Sequence, residues 1–263
     1  MLRRQGVTMA GEGASNAAAL QPLRPATSGA ERAAPALLAV RLGMEMAYSR
    51  LRARRPILAF GLGLALAIAA AVIEVSFGSA GAVDRALLAT FRLVVPLTIF
   101  ALAADAADRT ALRDAAWPAA RFGASSHHVA LGIALTTALT AAAASALLAI
   151  AVVVIAHGPA AAPFVRDVLL SGWIGALTGA AYAGWFSLGA TFLRRGRGRL
   201  VPLAADFLLG GSAGVAGALL PRGHAVSLLG GPSPLGLGQP ASAGLLALSA
   251  LVLALAAAAR CRE

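Results

Sequence analysis

Residues 129–156 read VALGIALTTALTAAAASALLAIAVVVIA. They include no charged residue and no proline. About 20 predominantly apolar residues in an α-helix are enough to cross the hydrocarbon core of a bilayer. The stretch therefore predicts a transmembrane helix, and its extra length predicts that this helix tilts or begins in the membrane interface.

The composition extends this conclusion to the whole chain. Of its 263 residues, 59% are apolar and 13% are charged, whereas soluble domains are about half apolar and a quarter charged. We therefore expect an all-α polytopic membrane protein whose transmembrane domain covers 56–263. Its apolar runs predict six spans, at 57–77, 87–107, 129–156, 168–193, 200–220 and 242–259.

Two different segments precede the first span. Residues 1–33 are rich in Ala, Gly, Ser and Pro and lack periodicity, which predicts a disordered cytoplasmic tail. Residues 34–55 have helical periodicity and predict an amphipathic helix lying in the membrane interface. Its apolar positions are Leu37, Val40, Met44, Tyr48 and Leu51, opposite Arg41, Glu45, Ser49 and Arg52.

The distribution of arginine predicts the orientation. All 22 basic residues are arginines, and eighteen of them fall on one side of the predicted membrane, against three (Arg85, Arg166 and Arg222) on the other. Because basic residues concentrate in cytoplasmic segments, both termini are expected in the cytoplasm. This topology explains the net charge of +11, so we expect no nucleic-acid partner. The Lys-free, Ala- and Arg-rich composition suggests a GC-rich bacterial genome and a location in the bacterial inner membrane.

Apart from Asp105 at the end of span two, three charged residues lie within predicted spans. Glu74 and Arg92 fall at similar depths in the first two spans, so they either pair or reach the interface separately. Asp206 is about 10 Å from the cytoplasmic end of span five. It either pairs with Arg199 or lines the inner end of a polar path.

Glycine pairs at helical spacing offer sites of close helix packing. Gly175 and Gly179 form one GxxxG motif, and Gly210 and Gly214 form another. Such motifs either build a dimer interface or pack helices within one subunit, and the Ala- and Gly-rich composition favours the second interpretation.

The sequence offers no constellation for catalysis or cofactor binding. The adjacent His127 and His128 point to different faces of a helix and lack a third ligand, so no metal site is expected. The nucleotide-binding motif G-x-x-x-x-G-K-[ST] requires a lysine, and the chain has none. We therefore expect no catalytic residue and no cofactor, and a protein driven by ATP would need a separate ATPase.

The stretch between spans two and three, residues 105–128, reads DAADRTALRDAAWPAARFGASSHH. Charges of both signs recur at helical spacing among apolar residues, and Pro118 marks the end of the helix. This pattern predicts a short amphipathic helix on the cytoplasmic side of the membrane.

Six spans, an N-terminal amphipathic helix and a charged loop after span two together resemble the permease subunits of type-2 ABC transporters. The likeness extends over about 35–260. The stretches that carry it are DRTALR (108–113), RFG (121–123) with Gly132 at the start of span three, Trp185-Phe186 before the Arg-rich turn 194–199, and the Pro/Gly-rich residues 221–240, which resemble short re-entrant helices.

The resemblance implies a permease subunit of an ATP-driven exporter. Two subunits, identical or different, would enclose the path, and a cytoplasmic ATPase would dock on residues 36–54 and 108–121. Arg113, Asp114 and Arg121 would make charge-assisted contacts with the ATPase, and Leu112 and Trp117 would serve as apolar anchors. The full set of coupling residues would be Asp108, Arg109, Leu112, Arg113, Asp114, Trp117, Arg121 and Gly123.

Two alternatives remain at this point. The charged helix either couples to an ATPase or rests on lipid headgroups. The protein as a whole is either a transport subunit or a membrane scaffold or assembly protein without an ATPase.

Overall fold

A computed structural model describes residues 29–78, 81–158 and 163–262, with side chains from residue 35 onward. Within these ranges the protein is all-helical, as predicted, and contains no strand. The predicted tail, 1–33, lies outside the described residues except for its last part, which is helical because α1 runs from Gly29 to Leu51.

Four helices of the described part are long and apolar enough to cross a membrane. They are α2 (Arg54–Phe77), the continuous helix Ala82–Ala106, α6 (Ser126–Ala156) and α11 (Gln239–Ala259). The second comprises α3 (Ala82–Ala89), a π-turn at Thr90–Val94 and α4 (Val95–Ala106). These helices match four of the six predicted spans, although the second begins earlier than predicted.

The fourth predicted span corresponds to α7, Phe164–Gly189, which is long enough to cross but is not among the four apolar helices. The fifth, 200–220, is not one helix, so its prediction as a continuous span is wrong. Instead, α8 (Leu200–Leu209) and α9 (Val215–Leu219) flank a turn. The ten residues of α8 cover about 15 Å, half of a hydrocarbon core of about 30 Å.

Glycines explain this break. Gly210 and Gly211 follow α8 directly, and Gly214 precedes α9 with an extended backbone. Glycine disfavours a helix interior by about 1 kcal/mol relative to alanine. Gly210 and Gly214 therefore end and begin helices, and the predicted helix-packing role of this pair is wrong. The stretch that resembles re-entrant helices forms α10 (Pro221–Leu228) and a 3-10 turn at Pro234–Gly236.

Helix α6 lies at the centre, and α1, α2, α4, α7 and α11 all pack against it. Gly175 and Gly179 of α7 approach the α6 backbone at Ser145 and Ala141. A Cβ at Gly175 would lie 2.7 Å from the Ser145 carbonyl oxygen, so only glycine permits this approach. This pair thus packs helices within one subunit.

Helix α1 packs closely against the first turns of α6. The Thr136 hydroxyl donates to the Met44 carbonyl at 3.5 Å, and a Cβ at Gly132 would collide with the Val40 carbonyl. Apart from Leu51 at its end, the buried residues of α1 are small: Ala39, Gly43 and Ala47.

The predicted apolar positions of α1 differ in their exposure within the protein. Leu51 is buried, whereas Leu37 and Tyr48 are exposed, as apolar side chains that face lipid would be. In a bilayer, large apolar side chains gain little by leaving lipid, and helices associate through small residues that bring their backbones together. The interface with α6 therefore forms on the Ala39–Gly43–Ala47 stripe and not on the large side chains.

Candidate functional site

The arginine-containing segments meet at one end of the helix bundle, which we call the Arg-rich end. It comprises the end of α1, the residues after α4 through the start of α6, the turn after α7 and the end of α11. Direct contacts join these segments: Arg50 bonds to Ala106, Arg199 to Thr110, and Ser126 to Cys261. Segments far apart in the sequence thus form one surface.

The loop 107–111, between α4 and α5 (Leu112–Ala120), has an unusual backbone. Asp108 and Arg109 adopt left-handed conformations, with φ of 51° and 55°. The Arg109 Nε atom donates to the Asp105 carboxylate at 2.7 Å, which ties the loop to the last turn of α4. Two consecutive left-handed residues other than glycine persist only where their surroundings hold them.

Arg50 of α1 supplies one such support. Its Nη1 atom donates to the Ala106 carbonyl at 3.1 Å and its Nη2 atom to the Ala115 carbonyl at 3.2 Å. A cation is favourable at the end of α4 because the last carbonyls of a helix are unpaired and carry partial negative charge. Partial burial lowers the pKa of Arg50, while Asp108 opposes this effect. One guanidinium thus joins α1, α4 and α5.

Arg199 supports the loop from the other side. Its side chain is buried, and its Nη2 atom donates to the Thr110 carbonyl at 2.8 Å. Burial lowers the pKa of Arg199 to about 10, which still leaves the group protonated at neutral pH. Gly196, with φ of 65°, lies against the same carbonyl, where a Cβ would collide with the oxygen. The predicted pairing of Asp206 with Arg199 is therefore wrong.

Helix α5 has one face in the protein's interior. Leu112, Ala115, Ala116 and Ala119 are buried in a cluster with residues of α1, α6 and α11. The Leu112 N–H also donates to the Ala190 carbonyl at the end of α7, at 3.2 Å. Leu112 has an exposed fraction of 1%, so the prediction that it is an anchor for a partner is wrong: it anchors α5 to its own bundle.

The other face of α5 is exposed. Trp117 has an exposed fraction of 56%, and the Arg121 guanidinium lies 4.8 Å from the centre of its ring. Arg113 and Asp114 are also exposed, so charges of both signs surround the indole. Asp108, Arg109 and Gly123 of the predicted set are exposed beside this face. Of the eight predicted coupling residues, only Leu112 is thus buried.

Phe122 is a second exposed aromatic residue, outside the predicted set of coupling residues. Its exposed fraction is 91%. It directly follows Arg121, and Gly123 then adopts a φ of 87° as the chain leaves the helix. The sequence did carry a signal for its exposure: a phenylalanine that stands between the end of a helix and a turn glycine. We call Arg113, Asp114, Trp117, Arg121 and Phe122 the α5 face.

The C-terminal end of α11 completes the Arg-rich end. The Ser126 hydroxyl donates to the Cys261 carbonyl at 2.8 Å, which joins the start of α6 to the end of α11. The Cys261 side chain is buried, and burial raises the pKa of its thiol to about 11. The Arg260 guanidinium stacks 4.2 Å from the centre of the Phe192 ring.

Within the apolar part, Glu74 pairs with a different arginine from the one predicted. The Arg85 Nε atom donates to its carboxylate at 2.6 Å. Both residues lie about one turn from the connection between α2 and α3, so they are at the same depth. Arg92 lies two turns further along, in the π-turn, because this helix begins at Ala82 and not at the predicted residue 87. The predicted pairing of Glu74 with Arg92 is therefore wrong.

Asp206 is buried beside Tyr182, whose hydroxyl donates to the carboxylate at 2.8 Å. Arg222 of α10 lies close by. A Cβ built at Gly210 would be 2.8 Å from Asp206 Oδ1 and 3.1 Å from Arg222 Cβ. Arg222 was predicted on the outer side of the membrane. It lies against Gly210, in the turn after α8, and this turn also contacts the Asp206 carboxylate. A tyrosine, an aspartate and an arginine from three helices form one polar cluster among apolar helices.

No family model, curated protein or solved structure matches this chain. Among the described residues, no three His, Cys, Asp or Glu side chains are grouped to hold a metal ion.

Proposed function

We propose that this protein is a permease subunit of a type-2 ABC exporter and that a separate ATPase docks on its α5 face. The observation that carries this proposal is the two-sided character of α5. One face presents Trp117 and Phe122 with charges of both signs, and the opposite face is buried in the bundle. A helix resting on headgroups would expose mainly basic side chains, so the mixed charge favours a protein partner.

Exposed aromatic residues beside charges are typical anchors of protein interfaces. Tryptophan and arginine are enriched among residues whose truncation costs about 2 kcal/mol or more of binding free energy. Trp117 and Arg121 already stack at 4.8 Å, which holds the indole in place before a partner arrives. A preorganised anchor loses less conformational entropy on binding.

The internal face of α5 offers a route for transmitting force. The Leu112 N–H bonds to the end of α7, and Arg50 joins α5 to α4 and α1. Displacement of α5 by a partner would therefore move the ends of several membrane helices together. Because the chain contains no lysine and hence no phosphate-binding loop, the energy would come from nucleotide bound in the partner.

The exporter needs a path through the membrane, and a second copy or a related permease would complete it. The distribution of arginine supports placing the Arg-rich end in the cytoplasm of a bacterial inner membrane.

Loss of the two aromatic anchors is expected to release the ATPase. The double variant Trp117→Ala, Phe122→Ala should bind the partner ATPase, to be sought first among neighbouring reading frames, at least about tenfold more weakly, since truncating one anchor costs about 2 kcal/mol. Co-purification from detergent and ATP turnover of the reconstituted complex measure this. Trp173→Ala is the matched control, because Trp173 is an exposed aromatic residue of α7 away from the α5 face.

Two results would count against the proposal. If the ATPase stays bound to the double variant and its turnover is unchanged, α5 is not the docking site. If the partner is released but its ATP turnover never depended on this chain, the protein is a scaffold and not a transport subunit.

A cysteine introduced in place of Pro118 is expected to be inaccessible to reagents outside the cell. Pro118 is exposed on α5, whereas the neighbouring Ala115 is buried. A membrane-impermeant maleimide should label Pro118→Cys only after the cells are permeabilised. The native Cys261 is buried with a raised pKa of about 11, so it should remain unlabelled at neutral pH, and the unmodified chain is the control. Labelling of intact cells would place the α5 face outside and reject the proposal.

A further inference from the structure

An apolar groove runs between α7, α8 and α9, starting at the Arg-rich end. Its volume is about 570 Å³, within the range of about 300–1,000 Å³ that is usual for ligand pockets. Its wall includes Trp185, Phe192, Val201, Ala205, Leu209 and Leu219. Val201 and Leu209, which both line the groove, are separated by about 12 Å along α8.

Backbone contact between two glycines shapes the end of the groove. A Cβ at Gly189 would lie 2.9 Å from the Gly198 carbonyl oxygen, and a Cβ at Gly198 would collide with the Gly189 carbonyl. The Arg-rich turn is thereby held directly against the last turn of α7. Both glycines line the groove, so the position of the turn and the opening of the groove are linked.

Exposed arginines surround this opening. Arg194, Arg195 and Arg197 lie on the turn between two groove residues, Leu193 and Gly198, and all three are exposed. Arg260, directly after α11, stacks on the groove residue Phe192 at 4.2 Å. The sequence from 168 to 205 contains no acidic residue. Among the described residues, none of these four arginines forms an ion pair within 4.0 Å.

We propose that this groove binds one acyl chain of an anionic phospholipid, with the phosphate held by Arg194, Arg195, Arg197 and Arg260. An apolar channel ending in these guanidinium groups matches a molecule with an acyl chain and a charged phosphate. Basic pockets between membrane helices bind acidic lipid headgroups for this reason, and guanidinium groups suit phosphate oxygens. The proposal is independent of the proposed exporter function, because the site lies within one chain and needs no ATPase.

Trp185 provides a direct test because it lines the groove. The chain contains three tryptophans, so Trp117→Phe with Trp173→Phe leaves Trp185 as the sole reporter. This variant is reconstituted in phosphatidylcholine vesicles that contain an equal fraction of either brominated phosphatidylglycerol or brominated phosphatidylcholine, whose bromines quench indole fluorescence on contact. From the quenching curves, phosphatidylglycerol is expected to be preferred at least about fivefold, since one arginine near the surface contributes about that factor.

Three further variants localise the effect. A chain with only Trp173, which is exposed in the half of α7 away from the Arg-rich end, should be quenched equally by both lipids. In the Trp185 reporter, changing all four arginines to glutamine should remove the headgroup preference. Ala205→Leu should partly fill the groove and reduce the quenching of Trp185 by either lipid.

Equal quenching of Trp185 by the two lipids would overturn the proposal, and this comparison needs no arginine variant to fold. A preference retained in the quadruple glutamine variant would also overturn it. If neither lipid quenches Trp185 while both quench Trp173, a protein surface, such as a second copy of this chain, covers the groove and the lipid site is rejected.

Discussion

Replacing Gly132 with leucine is expected to detach α1 from α6. A Cβ at this position would collide with the Val40 carbonyl and lie 2.8 Å from the Met44 nitrogen. Both are backbone atoms, so a change of rotamer cannot relieve the clash and the helices must separate. Overpacking a core usually lowers the free energy of unfolding by about 1–3 kcal/mol, and a clash with backbone atoms should cost about 3 kcal/mol or more. We expect a large fall in the unfolding midpoint in detergent and rapid tryptic cleavage at Arg41.

Gly61→Leu in α2 is the matched control for this variant. Gly61 is also within a helix, but a Cβ at this position would have no heavy atom within 4 Å, so the stability of the Gly61 variant should be close to that of the parent protein. A Gly132→Leu protein that keeps its unfolding midpoint and resists trypsin at Arg41 would contradict the close contact between α1 and α6.

Arg199→Ala is expected to disorder the 107–111 loop and destabilise the Arg-rich end. The substitution removes the donor to the Thr110 carbonyl and leaves a cavity beside Gly196. A lost hydrogen bond to a charged group costs about 1.5–3 kcal/mol, and a buried acceptor is left unsatisfied. Because Asp108 and Arg109 hold left-handed conformations, the loop should relax once this support is gone. Hydrogen exchange should then increase at residues 107–111.

Arg197→Ala separates this effect from the general loss of a positive charge. Arg197 belongs to the same turn and is exposed, and exposed substitutions usually change stability by less than about 0.5 kcal/mol. In this variant the backbone amides of the 107–111 loop should exchange hydrogen at the same rate as in the parent protein. Equal exchange in the Arg199 and Arg197 variants would show that the buried guanidinium does not hold the loop.

The long apolar helices could be predicted from composition because their signal is local. A run such as 129–156 carries enough apolar length to cross a membrane whatever its neighbours are, and the structure contains the helix Ser126–Ala156. The prediction of the fifth span failed because it gave more weight to hydropathy than to glycine. Gly210 and Gly211 interrupt an apolar run without reducing its hydropathy enough to mark the break.

The sequence analysis predicted an apolar face of α1 for the membrane interface but not the face that packs against α6. Leu37 and Tyr48 of the apolar face are exposed, and Gly43 faces α6. Helices in lipid associate where their backbones can come close. The spacing of Ala39, Gly43 and Ala47 was the relevant pattern.

The position of α5 in the chain was predicted from the sequence, but the face that α5 buries was not. Sequence spacing placed a charged helix after the second span, and α5 is there. Which face would be buried depended on contacts with α6 and α1, which no local pattern encodes, so Leu112 was assigned to the wrong face and Phe122 was overlooked. The partners of Glu74 and Asp206 were missed for the same reason, because they depend on where helices begin and how α10 folds back.

The π-turn at Thr90–Val94 also affects how this helix tolerates changes in length. Such a turn is equivalent to one residue inserted into an α-helix. Losing a residue elsewhere in Ala82–Ala106 would rotate everything beyond it by about 100° and break either the Arg85–Glu74 ion pair at one end or the Arg50–Ala106 hydrogen bond at the other. A deletion within the π-turn would restore an ordinary helix and leave both ends in register. Related chains one residue shorter here should therefore keep both contacts and differ mainly in the direction of Arg92.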